Sequence, residues 1–332
     1  MLAYIIRRIL YMIPTIILIS IVSFIIIQLP PGDWVTSYAA QLRAQGTSAS
    51  IEALEALRTH YGLDKPMYVQ YLKWVSGFPR LDFGIAMSVL NTPVSELLGG
   101  RLLLTLIVSS LTLIFTLVIA IPIGIYSATH KYTLMDSFLS VIAFISLSMP
   151  PFLLALIFIF VPVFYFGAQT VGGLFSPEYI GQPLSWGKII DLIKHLPTPV
   201  AVLTICGTGG IAAFMRLMRA NLLDILGEQY IQTGRAKGLK ERVVIYKHAV
   251  RIAINPIISR IGVNLPELFS GTIIVAIVLN LPTIGPLFYR GLIAQDMYLA
   301  GSILLVLAVI LLFGNLAADI MLAWSDPRIR YD

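Results

Sequence analysis

The chain has 332 residues, 58% of them hydrophobic and 12% charged, with a mean hydropathy of +0.87. A soluble domain carries about a quarter charged residues, so this balance excludes an ordinary water-soluble globule and makes lipid the solvent. The formal net charge of +6 does not mark a nucleic-acid surface, because the Lys and Arg residues cluster in short segments beside long apolar runs.

A helix needs roughly 20 apolar residues to cross the hydrocarbon core. Six stretches qualify: 9–29, 102–128, 138–166, 199–217, 257–279 and 299–324. All six are expected to be helices, since an unpaired backbone group in lipid costs several kcal/mol and no alternating barrel pattern is present. The first follows Arg7 and Arg8 and resembles a secretory signal. It is too long for one and lacks a small-x-small cleavage site before Pro30, so it reads as a retained span. Both ends are expected in the cytoplasm: that orientation places 14 Lys and Arg inside and 8 outside, with Arg101 at a boundary.

The predicted organisation is therefore a stub and first span (1–29), an external segment (30–100), a five-helix core (101–324) and a cytoplasmic tail (325–332). In the external segment, Ser50-Ile-Glu-Ala-Leu-Glu-Ala-Leu reads as a capped helix ending near Gly62. Met67-Tyr-Val-Gln-Tyr-Leu-Lys-Trp-Val75 follows, with aromatics suited to the membrane interface. This segment is read either as a cap over the helices or as a docking surface for an external partner. Within the fourth span, the lone Cys206 reads as apolar filler and Gly207-Thr-Gly-Gly210 as a helix-packing patch.

The cytoplasmic loop 216–260 carries nine Lys and Arg against Asp224, Glu228 and Glu241. A connection of that length is expected to have structure of its own, here two short helices broken at Gly238. Its Glu228-Gln-Tyr-Ile-Gln-Thr-Gly-Arg-Ala-Lys-Gly-Leu239 run resembles the cytoplasmic loop of ABC importer permeases of the dipeptide/oligopeptide/nickel branch. The branch reads Tyr-x-x-Thr-Ala-Arg-Ala-Lys-Gly-Leu, then His-Ala-x-Arg-x-Ala-x-x-Pro, matched here by His248-Ala-Val-Arg251-Ile-Ala253-Ile-Asn-Pro256. Gly234 replaces the usual Ala, at a cost of up to about 1 kcal/mol of helix stability.

Tyr4-Ile-Ile-Arg-Arg-Ile-Leu, Leu29-Pro-Pro-Gly-Asp33 and Tyr61-Gly-Leu-Asp-Lys-Pro66 also look like the B-type subunit. So do Leu81-Asp-Phe-Gly84, Met149-Pro-Pro-Phe152 and Ser325-Asp-Pro-Arg-Ile-Arg-Tyr331. Near the outer end of the fifth span the chain departs from Val-Val-Glu-x-x-Phe-x-x-Pro-Gly-x-Gly, with Ala276, Leu279 and Thr283 at the acidic, aromatic and first glycine positions.

The resemblance implies an all-α, six-helix type I importer permease in the cell membrane, forming half of a pathway with a second, C-type permease. It implies two ATPase subunits that bind ATP and Mg in this chain's stead, and an external substrate-binding protein. The cargo it implies is peptides, with oligosaccharides and nickel chelates as the branch's other solutes. Glu228, Gln232, Thr233, Gly234, Arg235, Ala236, Lys237 and Gly238 fall on the family's coupling helix, where Arg235 and Lys237 are expected to meet acids of the ATPase. Gly-x-x-x-x-Gly-Lys-Ser/Thr is absent, the four histidines have no metal-ligand spacing, and no serine sits in a nucleophile elbow. No cofactor, metal or catalytic set is therefore expected in this chain. In the fifth span, Arg260, Asn264, Glu267 and Gly271 form one polar stripe by spacing. A carboxylate facing lipid is costly, so Asn264, Glu267 and Gly271 are read as candidate pathway residues, with helix packing as the alternative. A stand-alone secondary transporter or channel would carry more intramembrane charge and paired broken repeats.

Overall fold

The computed structural model describes residues 2–47, 49–89, 92–167, 172–207, 210–261 and 273–325. In chain order the helices are α1 (Leu2–Gln28), α2 (Trp34–Ala44), α3 (Ile51–Tyr61), α4 (Met67–Ser76) and, after a short antiparallel pair, α5 (Val94–Thr129). The pair is β1 (Ile85–Ala86) with β2 (Thr92–Pro93). Then come α6 (Leu134–Ser148), α7 (Pro151–Phe166), α8 (Trp186–His195), α9 (Pro197–Cys206), α10 (Ile211–Leu226) and α11 (Gln229–Ala236). A single helical run follows as α12 (Glu241–Val243), a π-helical stretch (Val244–Ala249) and α13 (Val250–Ala253). Last are α14 (Ile273–Val278), α15 (Ile284–Ile293) and α16 (Met297–Ser325).

Among the described residues, four helical stretches are long and apolar enough to cross a membrane: Tyr4–Gln28, Val94–Thr129, Trp186–Cys206 and Met297–Ala323. Three of the six expected spans depart from the sequence expectation. α5 starts eight residues before 102, and its 36 residues run about 54 Å, well beyond a hydrocarbon core of about 30 Å. The expected single span 138–166 is two helices, α6 and α7, bent by 97°. Its cause is local: Pro150 and Pro151 remove two backbone donors, and Met149, preceding a proline, takes an extended conformation (ψ 125°).

The third departure is in the expected span 199–217, which is broken. α9 ends at Gly207, which is extended (ψ 160°), and α10 begins after Gly210 (ψ −176°). A Cβ on Gly207 would lie 2.2 Å from the Leu203 carbonyl oxygen, and one on Gly210 2.9 Å from that of Ile205. These glycines are therefore where the helix stops, not a packing patch inside it. The apolar run is instead completed upstream by α8, whose first turn is capped by Ser185. The expected fifth span lies partly in 262–272, outside the described residues.

The chain divides into two compact units. One comprises Ile6–Thr105 and Thr283–Ile310. There Asp33 caps α2 by accepting from the Thr36 amide (2.8 Å) and is pinned to α3 by Arg58 (Nε to Oδ2, 2.8 Å). Burial pushes the Asp33 carboxyl up, but the hydrogen bonds from Arg58 and Thr36 outweigh it and hold the carboxyl below its ordinary value. Ser50 and Gly62 (φ 74°) cap α3 at the expected places. Of the α4 aromatics, Trp74 is core and not an interface anchor: 2% exposed, it packs on Phe24 and Phe78 and donates to Ser302 Oγ at 3.1 Å, whereas Tyr68 is exposed. A cleft of about 1060 Å³, lined by Trp34, Tyr38, Tyr61, Met87 and Arg290 among others, opens in this unit.

The other unit comprises Met1–Ile5, Leu106–Pro282 and Leu311–Asp332. Its core joins α5, α6, α10, α11 and the 241–253 run through Ala120, Ala143, Met215, Met218, Leu222, Ile231, Val244 and Ala249. Met215, Met218 and Leu222, spaced by three and four, are the buried stripe of α10. α5 comes close to that stripe at Gly124, where an added Cβ would sit 2.7 Å from Met218 Cβ and 2.8 Å from the Met215 carbonyl oxygen. Gly124→Val is therefore expected to cost about 1–3 kcal/mol, read as a lowered thermal-unfolding midpoint in detergent. Gly99→Val, on the same helix with nothing within 4 Å of its Cβ, is the control expected to change little. Equal effects of the two would show that the close approach is not limiting.

Candidate functional site

The segment carrying Glu228 to Gly238 is built around one apolar anchor. α10 ends at Gly227, Glu228 turns the chain in an extended conformation (φ −68°, ψ 146°), and α11 begins at Gln229. In α11 only Ile231 is buried; 1% exposed, it enters the core with Met218, Leu222 and Val244. Burying one such side chain is worth about 1.5–3 kcal/mol, enough to seat a helix of two turns that would not form alone. Gln232 reaches back to the Leu226 carbonyl (3.2 Å) and Thr233 to that of Gln229 (2.9 Å). Glu228, Gln232, Thr233, Ala236, Lys237 and Gly238 are exposed, while Gly234 and Arg235 are half-buried.

The helix closes with two nested bonds around a left-handed residue. Gly238 has φ 77°; its amide donates to the Arg235 carbonyl at 2.9 Å, and the Leu239 amide donates to that of Gly234 at 3.3 Å. This is the Schellman arrangement, which favours glycine because a Cβ in the left-handed region is strained. Gly234 lies beneath Leu239, whose Cδ1 would be 3.6 Å from an added Cβ, so the glycine found in place of the family's alanine leaves ordinary contact distance. The break between the two short helices thus falls at residues 237–240, as the sequence suggested.

Arg235 is already engaged within the chain. Its Nε and Nη2 donate to Glu241 at 3.1 and 2.6 Å, bridging the Gly238 turn. Within this chain Arg235 is thus paired with Glu241, whereas the exposed Lys237 has no such contact among the described residues. The hydrogen bond from Arg235 lowers the Glu241 carboxyl, outweighing a small upward effect of burial.

A second ion pair, which sequence reasoning missed, lies behind the segment. Asp136, 3% exposed, receives Arg219 Nε (3.1 Å) and Nη2 (2.9 Å), the Tyr132 amide (3.0 Å) and the Ser127 hydroxyl. Four donors from the end of α5, the following turn and α10 satisfy this carboxylate at the first turn of α6. A buried carboxylate without such partners would be strongly destabilising. Only Thr133-Leu-Met-Asp136, a cap followed by a first-turn acid, hints at it in the sequence.

Beside this pair a cavity of about 580 Å³ opens, lined by Ser140, Phe144 and Leu147 of α6, Arg216 and Arg219 of α10, and Arg260 among others. Arg260 is in helical residues 255–261. Asn264, Glu267 and Gly271, the remaining polar positions of its stripe, lie outside the described residues.

Residues 120–331 match the family described as "Binding-protein-dependent transport system inner membrane component", and residues 1–86 match the model of its N-terminal region. Similar proteins include the oligopeptide transport system permease protein AppB of Bacillus subtilis, 37% identical over 331 residues and covering 100% of both chains. The putative peptide permease protein BRA0408/BS1330_II0405 of Brucella suis is 32% identical over 330 residues, 99% of each chain. The dipeptide transport system permease protein DppB of Escherichia coli K12 is 32% identical over 347 residues, covering 100% of this chain and 99% of its own.

The Arg235–Glu241 bridge has a measurable consequence. Because the Glu241 value is depressed by folding, the bridge contributes at neutral pH and is lost as pH falls through that depressed value, below the ordinary 4.5. Glu241→Gln at neutral pH is expected to quicken amide exchange over residues 237–241 by about 1.5- to 5-fold, the range of an exposed pair. The parent should show the same change only on acidification, after correction for intrinsic exchange. Unchanged exchange in Glu241→Gln would remove the bridge from the account.

Proposed function

Since the chain belongs to the binding-protein-dependent transport system inner membrane component family, we propose that it uses α11 and the Gly238 turn to receive force from an ATPase subunit. The chain is a multi-pass membrane protein and the permease subunit of an importer, with the type I importer permease fold. The observation that carries the coupling proposal is the construction of α11: one buried anchor, Ile231, joins an otherwise exposed helix to the core of α5, α6 and α10. Force applied to such a helix is passed to the membrane helices.

In this reading Glu228, Gln232, Thr233, Gly234, Ala236, Lys237 and Gly238, with the Arg235–Glu241 pair, form the docking face. Two ATPase subunits bind ATP and Mg, and this chain binds neither. A second, C-type permease completes the pathway, and an external binding protein delivers the cargo to the side carrying residues 30–100. The aromatic cleft at Trp34, Tyr38 and Tyr61 offers that protein a concave face. Both termini are cytoplasmic and the membrane is the cell membrane. The cargo is peptides, the solute named for the relatives in Bacillus subtilis and Escherichia coli. Inverting a 1:99 population of inward- and outward-open states requires nucleotide to favour one of them by about 5.5 kcal/mol. Asn264, Glu267 and Gly271 line the pathway between the two permeases.

The coupling assignment is tested at Gly238. Nothing lies within 4 Å of a Cβ placed there, so its local cost is only that of a left-handed residue, about 1–2 kcal/mol. Gly238→Ala carries that strain without bulk. In the reconstituted importer Gly238→Trp should lose transport while ATP hydrolysis persists, and Gly238→Ala should stay coupled. Normal coupling in Gly238→Trp would refute the assignment.

Topology and pathway are tested together by single cysteines in a Cys206→Ala background. Arg43→Cys should react with a charged thiol reagent from outside sealed cells and Lys240→Cys only from inside. Glu267→Cys should change reactivity between nucleotide-free and ATP-bound states. Labelling of positions 43 and 240 from one side would overturn the orientation. A Glu267→Cys site inert in both states would leave that residue a packing role.

A further inference from the structure

The cavity between α6, α10 and residues 255–261 has the chemistry of a receptor for an oxyanion. Arg216, Arg219 and Arg260 all line it, and among the described residues no carboxylate does. Arg219 is neutralised by Asp136, with two bonds to that carboxylate. Arg216 and Arg260 are exposed and, among the described residues, have no carboxylate within ion-pair distance. The Arg216 guanidinium is held over the Phe144 ring, with Cζ 5.2 Å from its centre. That contact orients the planar fork and leaves its N–H edge available.

The opposite character lies alongside. α6 presents Phe138, Val141, Ile142 and Ile145, all about half or more exposed, and Phe144 and Leu147 join the cavity wall. Two guanidinium groups without a carboxylate partner among the described residues, beside an apolar wall, match a single anionic oxygen group carried on an apolar body. A bidentate guanidinium serves carboxylate and phosphate equally well.

We propose that Arg216 and Arg260 bind such an oxyanion, with the Asp136–Arg219 pair holding α10 in register beneath it. Two sources share this chemistry. One is the phosphate of an anionic lipid, since both arginines fall at the inner ends of spans in the orientation proposed above, and basic pockets between helices at that depth hold lipid headgroups. The other is the carboxylate of a peptide passing through, which rests on the peptide-importer reading.

The test compares the assembled importer with its Arg216→Gln/Arg260→Gln form; both side chains are exposed, and Arg219 is untouched so that Asp136 keeps its partner. In the first arm, phosphatidylglycerol carried through detergent purification is counted by native mass spectrometry, with phosphatidylcholine as the control lipid. In the second, uptake of tri-alanine is compared with that of its C-terminal amide in proteoliposomes. A loss of about tenfold or more in phosphatidylglycerol retention identifies the lipid as the source. A tenfold fall in the acid-over-amide preference identifies the cargo. In either case Arg216→Lys/Arg260→Lys should restore part of the effect. If both quantities stay within about twofold of the parent, the site is overturned. A parent that transports neither peptide refutes the peptide reading alone, and the lipid arm then decides the site.

Discussion

Asp136 is the point on which the unit built from Leu106–Pro282 is organised. A carboxylate that is 3% exposed must be satisfied by donors, and here they come from α5, from the turn after it and from α10. Those donors bring three helices to one place at the end from which α11 is hung. The energetic lesson of buried ion pairs is that they add little net stability when intact, yet removing one partner strands a charge at a cost of several kcal/mol. The pair therefore acts as a specifier of arrangement. It lets α10 take one register against α5 and α6, and the near-contact of Gly124 with Met215 and Met218 then completes the packing.

Glycine and proline decide where continuous apolar sequence becomes separate helices. The Pro150-Pro151 pair turns α6 into α7, Gly207 and Gly210 end α9 and start α10, and Gly238 closes α11. Each break frees backbone groups that lipid cannot satisfy. Such breaks are tolerated where protein or water meets those groups, and the amide of Gly210 is indeed bonded to Gly207 at 2.7 Å. In transport proteins, breaks of this kind let a stack of helices change angle without unfolding any of them.

The other unit holds most of the first span and adds short helices packed by different means. Of these, α2 and α3 are capped by Asp33 and Ser50 and cross-linked by the Asp33–Arg58 pair, and α4 is held by a cluster of rings centred on Trp74. Trp74 fits because α16 offers it Gly301 and Ser302, a small residue for its ring and a hydroxyl for its indole N–H. The chain thus has two cores of distinct character, one of interlocking aliphatic helices and one of stacked aromatics.

Much of this was written in local sequence. The apolar runs and basic flanks announce a membrane protein, Ser50 and Gly62 mark the ends of α3, and the Glu228–Leu239 run identifies the exposed helix and the left-handed residue that ends it. These features are legible because their causes act within a few residues: hydrophobic length, caps, and a backbone angle that glycine alone adopts freely. What sequence could not supply were pairings between residues far apart in the chain. Asp136 with Arg219, Trp74 with Ser302 and Gly124 against Met218 depend on which helix faces which, and amphipathic period does not encode partner choice. For the same reason Trp74 of α4 read as an interface aromatic until its burial was seen, and the pairing of Arg235 with Glu241 across the Gly238 turn was not foreseen. Local chemistry determined what this chain is made of; the tertiary structure decided which charges meet, because a buried charge is settled by whatever the fold places within hydrogen-bond reach.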